Sequence, residues 1–311
     1  MDVLFVLRKV LLFVAMCVPS FILQKRNMLP DKSEKGFSAV LLYVGQPLMV
    51  LASFQDTLYR SGMIKNMLLA LLFSVVGQII LYFLSLLLFI KKPDCDKTRV
   101  LKYATTFSNC GFLGLPLLYA IYGNGASEMI IYLSIYVAVF NLLSWTLGSY
   151  ILTKEKKYIK WKNAIFNPPT IALAVALPLF FCGISIGKYS PECMRFIEYF
   201  DEMVAPLAMI VLGIRLAKAD LKKVFTDLDA YIVSAYKLIL APILMLLIML
   251  PFGAEKVVTI PIFFAMAMPC ASSSIVFAEK HDVSPETAAT CVMVSTILCV
   301  ATLPILFYIF I

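Results

Sequence analysis

The sequence has few charged side chains, a single histidine and no paired cysteines. Only 15% of its 311 residues are charged and 61% are apolar, whereas soluble domains have about 25% charged and about 45–50% apolar residues. The one histidine, His281, excludes a multi-histidine metal or haem site. The eight cysteines are scattered without a CxxC spacing, so neither a disulfide framework nor a zinc site can be drawn. We therefore expect no metal and no cofactor, and a chain that resides in the membrane.

Long apolar stretches make up most of the chain. A helix needs about 20 mostly apolar residues to cross about 30 Å of hydrocarbon. Ten such stretches, called spans one to ten below, are predicted at residues 4–23, 36–54, 66–90, 101–122, 128–152, 166–187, 196–217, 229–251, 257–279 and 286–311. Short connectors that carry charges or Gly, Pro and Asn separate them. The sequence thus predicts an all-α polytopic protein with ten transmembrane helices.

The basic residues are distributed unequally between alternate connectors. Eighteen Lys and Arg lie in one set, at 25–35, 91–102, 154–162, 218–229 and 280, and seven lie in the other set and the N-terminal segment. The positive-inside rule places the first set in the cytoplasm and both termini outside. This asymmetry accounts for the net charge of +8. Cytoplasmic lysines and arginines are also attracted to the anionic lipids of the inner leaflet. No nucleic-acid partner is predicted.

The spans divide into two groups of five. A first repeat (1–152) and a second (166–311) flank a basic cytoplasmic connector (153–165), and residues 45–51 weakly resemble 205–212. After five crossings the chain lies on the opposite side of the membrane from where it started. The second repeat must therefore enter the bilayer inverted. Inverted repeats with interrupted helices at matching positions mark the midplane site of secondary transporters.

Spans four and nine each carry a helix-breaking polar cluster, at 109–116 and 269–274. Freed backbone groups at this depth are tolerated only inside protein or beside water, although proline and glycine also occur at incidental kinks in membrane helices. Pro116 fits the first turn of an outer half-helix, and serines 272–274 fit N-caps of an inner one. Two helix N-termini meeting near the midplane favour an anion, to which Asn109 can donate.

Residues 108–117 resemble the span-four crossover of the auxin efflux carrier family, with an asparagine seven residues before a proline. Asn167-Pro168, the span-seven sequence at 207–213 and residues 276–280 are similar to that family too. The family includes plant auxin exporters and bacterial malate or malonate carriers, and the resemblance extends over essentially the whole chain.

The resemblance implies a fold like that of the bile-acid and sodium/proton antiporter superfamily. Spans one, two, six and seven would form a scaffold and a homodimer face. Spans three to five and eight to ten would form a transport unit that moves like an elevator. The resemblance implies substrate contacts at Asn109, at Asn141 in span five and at the span-nine crossover around Pro269. Further candidate substrate-binding residues at the two crossovers are Gly114, Pro116, Ser272, Ser273 and Ser274.

The chain also departs from the family pattern. Ser274 stands where plant exporters have a second proline, and Ser273 stands where bacterial relatives often have asparagine. The long cytoplasmic loop of the plant exporters is replaced by residues 153–162. These differences argue against auxin itself and favour a prokaryotic plasma-membrane carrier of small organic anions. The predicted substrate class is a small carboxylate, such as a dicarboxylate or an auxin-like acid.

Several polar side chains inside the spans allow two interpretations each. Lys237 in span eight either balances substrate charge and couples transport or snorkels to the interface. Gln46 either lines the site or satisfies backbone groups at the Pro47 kink. For Arg215 near the end of span seven, snorkelling is the favoured interpretation.

The predicted function is a secondary transporter of a small organic anion. A channel would need a continuous polar stripe, and only two polar clusters are visible. A receptor or sensor with a transporter fold is the other alternative. An enzyme is not predicted, since the sequence has no HExxH motif and the serines at 272–274 have no evident base.

Overall fold

The computed structural model describes residues 3–159, 161–218 and 225–310. In this part of the chain, helices joined by short connectors account for the regular structure, apart from one isolated β-bridge. Six helical runs are long and apolar enough to cross a membrane: Leu4–Lys25, Ser33–Gln55, Met63–Leu88, Ser127–Thr153, Leu228–Phe252 and Pro285–Phe310. Three shorter apolar helices are Cys110–Tyr122, Pro168–Phe181 and Lys256–Ala267. The all-α polytopic class is thereby confirmed, while the count of ten crossings stays a prediction.

Helix occupies each of the ten predicted spans. The α-helices are Val3–Ala15, Val18–Lys25, Ser33–Val40, Gln46–Gln55, Met63–Leu88, Asp96–Thr106, Leu115–Tyr122, Ser127–Leu143, Ser149–Thr153, Trp161–Ile165, Pro168–Phe181, Ile186–Tyr189, Pro191–Lys218, Leu228–Ala235, Ala241–Met249, Lys256–Ala267, Ser273–His281 and Pro285–Phe310. Wider π-helical turns are Leu41–Gly45, Cys110–Gly114, Ser144–Gly148 and Tyr236–Leu240.

Three of the π-helical turns end two residues before a proline. These prolines are Pro47, Pro116 and Pro242. Proline has no N–H and its ring clashes with the carbonyl four residues earlier. A wider turn relieves this clash, because hydrogen bonds then run between residues five apart. The proline positions therefore determine where spans two, four and eight deviate from regular α-helix.

The helices pack as two groups. In the first, Gln46–Gln55 of span two packs against Pro168–Phe181 of span six and Pro191–Lys218 of span seven. In the second, Ser127–Leu143 of span five packs against spans three and nine, and span ten packs against span eight. Span one joins the groups, since Val3–Ala15 contacts span ten and Val18–Lys25 contacts span seven. We call spans two, six and seven the first group, and spans three to five and eight to ten the second group. Span five also contacts spans two and six, so the two groups are in direct contact.

Ion pairs join connectors that were predicted to lie on the cytoplasmic side. The carboxylate of Asp229 pairs with Lys97 at 3.0 Å and also with Lys92. At another point of this face, Lys35 and Glu279 pair at 3.2 Å. Connectors that are distant in sequence therefore meet at one face, as alternating crossings require.

The opposite set of connectors forms its own contacts. Arg60 pairs with Glu128 at 2.8 Å and with Glu255 at 2.9 Å. The hydrogen bonds that Arg60 and Asn66 donate to Glu255 hold the pKa of its carboxyl below its ordinary value. Gln55 accepts from the backbone N–H of Ile186 at 2.7 Å. The structure thus separates the two sets of connectors, while which face is cytoplasmic stays a prediction.

Gly213 allows span seven to lie directly against span one. A Cβ at this position would lie 2.2 Å from the carbonyl oxygen of Cys17 and 2.2 Å from Oγ of Ser20. We expect Gly213→Ala to destabilise the protein by about 1–3 kcal/mol, the usual cost of overpacking, and to lower the Tm of the purified chain. Gly36→Ala is the matched control, because its added Cβ would meet no atom within 4 Å. Equal Tm values for the two variants would contradict this account of the contact.

Candidate functional site

The breaks in spans four and nine pair with each other. The backbone N–H of Asn109 donates to the carbonyl of Pro269 at 2.8 Å, and that of Ala271 donates to the carbonyl of Phe107 at 2.9 Å. These two bonds form the one β-bridge in the described chain, between Ser108 and Cys270. Each break thereby satisfies the backbone groups that the other leaves without helical partners, which is the condition for irregular backbone at membrane depth.

Side chains strengthen this junction. Nδ2 of Asn109 donates to Oγ of Ser272 at 3.1 Å, and both side chains are buried. Ser272 occupies the N-cap position of Ser273–His281, but its side chain caps no backbone N–H, because its hydroxyl faces Asn109. The expected capping role is therefore not observed for Ser272. Oγ of Ser274 donates to the carbonyl of Ala271 at 2.6 Å.

The outer part of span four resumes immediately after the break. The helical run restarts at Cys110 with a π-helical turn, and Pro116 lies in the first turn of the α-helix Leu115–Tyr122. The break at residues 107–109 precedes Pro116 by several residues, so the interruption does not depend on this proline. Gly114 lies close to the other break, because a Cβ there would be 3.4 Å from Cγ of Met268.

A cavity of about 310 Å³ lies beside the paired breaks. Five of the predicted site residues line it: Gln46, Asn109, Asn141, Ser272 and Ser273. The lining of this cavity does not include Gly114, Pro116, Pro269, Ser274 or Lys237. The backbone of Pro269 and the side chain of Ser274 instead hold the junction together, and Pro116 is buried in span four.

The cavity is also lined by two cationic side chains, Arg215 and Lys35, which were not predicted as site residues. Arg215 donates from Nη1 to the carbonyl of Ser272 and from Nη2 to Oγ of Ser38, both at 3.3 Å. It therefore points into the cavity, whereas snorkelling was the favoured interpretation. The spacing of three residues places Arg215 on the same helix face as Leu212, but only the structure shows that this face meets the junction. Lys35 lies at the exposed rim of the cavity, where it pairs with Glu279.

Gln46 offers a hydrogen-bond donor to the cavity. The residue is buried, and its Nε2 has no hydrogen-bond partner in the described structure. A Cβ on Gly111 would lie 3.3 Å from this nitrogen, so the amide is held against the span-four junction. An unpaired buried donor costs about 1–3 kcal/mol. A bound acceptor would remove this cost, which favours the interpretation that Gln46 lines a binding site.

The sequence of the whole chain matches a known family. Residues 5–307 match the family described as membrane transport protein. The chain belongs to this family, the auxin efflux carriers. Membership of this family makes the protein a membrane transporter rather than an enzyme. Its substrate is a small molecule.

Relatives of this carrier occur in archaea and bacteria. An uncharacterized transporter of Methanothermobacter thermautotrophicus is 27% identical over 305 residues, which is 95% of each chain. A protein of Rhizobium meliloti named "Putative malonate transporter" is 25% identical over 236 residues, 71% of this chain and 70% of that protein. An uncharacterized transporter of Methanocaldococcus jannaschii is 22% identical over 281 residues, 87% of each chain.

Lys237 of the carrier lies behind the junction. It is fully buried, and its Nζ donates to the carbonyls of Thr105 at 3.3 Å and Thr106 at 3.2 Å. These are the last two residues of the helix Asp96–Thr106, where carbonyls have no intrahelical partners and the helix dipole favours a cation. Snorkelling is therefore wrong for Lys237. Its role in charge balance or coupling stays a prediction.

Proposed function

We propose that this carrier is a secondary transporter of a small organic anion, in particular a dicarboxylate of about the size of malonate. The observation that carries the proposal is the cavity beside the paired breaks, where the cations Arg215 and Lys35 meet the amides of Gln46, Asn109 and Asn141. A dicarboxylate needs cations and N–H donors at both of its ends, and this lining offers them. The name of the Rhizobium meliloti relative supports the same substrate class.

Arg215 is the best-placed group for one carboxylate. A guanidinium binds a carboxylate through two parallel N–H···O bonds, which are shorter and stronger than bonds to neutral acceptors. Its present partners, a carbonyl and a hydroxyl, are neutral and lie at 3.3 Å. The N-terminus of the helical run that begins at Cys110 adds a favourable dipole for an anion. Lys35, at the rim, is placed to receive the second carboxylate.

The proposed mechanism is an elevator-type alternation of access. The cavity lies between the two helix groups: Ser38, Gln46 and Arg215 belong to the first, while Asn109 and Ser272 belong to the second. Sliding the second group along the first would carry these walls past each other. The bonds from Lys35 to Glu279 and from Arg215 to Ser272 link the groups, so they must break during this movement.

The same proposal includes the wider organisation of the carrier. The ten spans form two inverted repeats, 1–152 and 166–311, joined by the connector 153–165. Spans one, two, six and seven are the scaffold and support a homodimer, and spans three to five and eight to ten are the transport unit. Both termini lie outside the plasma membrane.

Uptake of labelled malonate into proteoliposomes tests the function. We expect saturable uptake that other small dicarboxylates inhibit, and a rise in the Tm of the purified carrier with malonate, because a ligand that binds the folded state stabilises it by mass action. Flux that grows linearly with malonate concentration would indicate a channel. Stabilisation by a dicarboxylate without any flux would indicate a receptor or sensor, and either result would contradict the proposal.

A further inference from the structure

A second, larger groove of about 640 Å³ runs between spans two, five and six. Most of its wall is apolar, with Pro47 and Leu51 on one side and Ile171 and Val175 on the other. Ile171 and Val175 are exposed on the outer surface of the protein. Because both walls lie within predicted membrane spans, the groove faces the hydrocarbon of the bilayer.

One end of this groove is polar. Asn163, Phe166 and Asn167 line it beside the short helix Trp161–Ile165, and Trp161 and Phe166 are exposed. Tryptophan is enriched where membrane helices meet the headgroup layer. The groove therefore extends from the hydrocarbon to the headgroup level at the connector 153–165.

The connector that leads into this polar end is rich in lysine, and the short helix beside the groove carries Lys162. Lys157 pairs with Glu155, and Lys154 lies over the ring of Tyr150. Lys156 and Lys162, in contrast, are exposed and form no ion pair within the described residues. Basic pockets between membrane helices on the cytoplasmic side bind the headgroups of anionic lipids. An apolar groove whose polar end lies beside a helix with an exposed lysine, Lys162, is complementary to one acidic phospholipid.

We infer that this groove is a binding site for an acidic phospholipid. The acyl chain lies between spans two and six, and the phosphate headgroup lies at Lys156 and Lys162. The site is distinct from the proposed substrate cavity, but the two share the wall residues Leu42, Asn141 and Trp145.

The shared wall connects lipid binding to the substrate site. Nδ2 of Asn141 donates to Oδ1 of Asn167 at 3.2 Å. Asn141 lines the substrate cavity and Asn167 lines the groove. A lipid that packs against Trp145 and Asn167 therefore supports the orientation of Asn141 from outside.

Tryptophan fluorescence provides a direct test, because the chain has only two tryptophans, Trp145 and Trp161. In Trp161→Phe, Trp145 is the single reporter in the groove wall. The full chain is placed in phosphatidylcholine nanodiscs that contain increasing fractions of phosphatidylglycerol or phosphatidylcholine with brominated acyl chains. We expect brominated phosphatidylglycerol to quench Trp145 at a severalfold lower mole fraction than brominated phosphatidylcholine.

Three further variants in this background distinguish recognition of the lipid headgroup from binding of the acyl chain. Lys156→Gln combined with Lys162→Gln should abolish the preference for phosphatidylglycerol. The matched pair Lys25→Gln and Lys91→Gln, which removes exposed lysines from other connectors of the same set, should retain it. Ala172→Phe fills the groove and should reduce quenching by both lipids at an unchanged Tm.

Three outcomes would overturn the inference. Equal quenching by the two lipids would mean that the groove holds any acyl chain without headgroup recognition. A preference that survives loss of Lys156 and Lys162 would place the headgroup elsewhere. Protection of Trp145 from both lipids would mean that another surface, such as a second copy of the chain, covers the groove. Since quenching does not depend on transport, these results are separable from those of the uptake assay.

Discussion

Arg215→Gln is expected to abolish saturable malonate uptake while the carrier stays folded. Truncating one member of a buried, hydrogen-bonded charge pair costs about 2–5 kcal/mol, and every 1.4 kcal/mol is a factor of ten, so malonate affinity should fall at least about 30-fold. The fold should tolerate the change because the present partners of Arg215, the Ser272 carbonyl and the Ser38 hydroxyl, are neutral and can bond the glutamine amide or water. Isothermal titration with malonate, with Tm measured on the same sample, checks this result.

Two other variants make the Arg215 experiment specific. Arg195→Gln removes an exposed arginine from the same helix, Pro191–Lys218, where it pairs with Glu198 at 2.9 Å, and it should leave malonate affinity unchanged. Arg215→Lys keeps the charge but loses the planar fork, so its affinity should be intermediate. A folded Arg215→Gln protein with normal malonate affinity would remove the main support for the proposed site.

Asn109→Ala is expected to weaken malonate binding about 5- to 150-fold, which corresponds to about 1–3 kcal/mol for an unpaired buried polar group. The substitution removes the Nδ2 donor and its bond to Ser272. It leaves the backbone bond from Asn109 to Pro269 in place, so the two breaks should stay paired and the Tm should change little. Malonate titration and Tm are again the measurements.

A double-mutant cycle distinguishes direct contact from positioning. If Asn109 acts only by holding Ser272, then Asn109→Ala combined with Ser272→Ala should bind malonate no more weakly than either single variant. Asn66→Ala, which removes an asparagine that bonds Glu255 near the opposite face, is the matched control and should bind normally. Unaltered affinity in Asn109→Ala would contradict the role of Asn109 and make Asn141 the leading amide.

Local composition predicts the breaks, because proline, glycine and serine interrupt a helix wherever they cluster. Residues 109–116 and 269–274 were identified in this way, and the structure interrupts span four at 107–109, at the edge of the first segment, and span nine at 268–272. The exact residues at which the helix is interrupted depend less on local composition. Pro116 lies in the first turn of the α-helix Leu115–Tyr122, as expected, but the helical run already restarts at Cys110 with a π-helical turn.

Roles that depend on partners distant in sequence could not be predicted. Arg215 and Lys237 are both long cations within predicted spans, and snorkelling was favoured for the first and left open for the second. The structure directs Arg215 into the cavity and Lys237 onto the C-terminal carbonyls of a different helix. These partners lie 57 and about 130 residues away, so no helical periodicity contains them.

The sequence by itself determined that the chain is an all-α membrane protein with interrupted helices, because apolar length and helix-breaking residues are local properties that the bilayer constrains strictly. Only the tertiary structure decided that the two breaks pair through Asn109 and Pro269, that Arg215 faces the cavity, and that Lys237 does not. The reason is physical. Inside a low-dielectric membrane protein each buried polar group must find a partner, and which partner it finds depends on how helices far apart in sequence pack together.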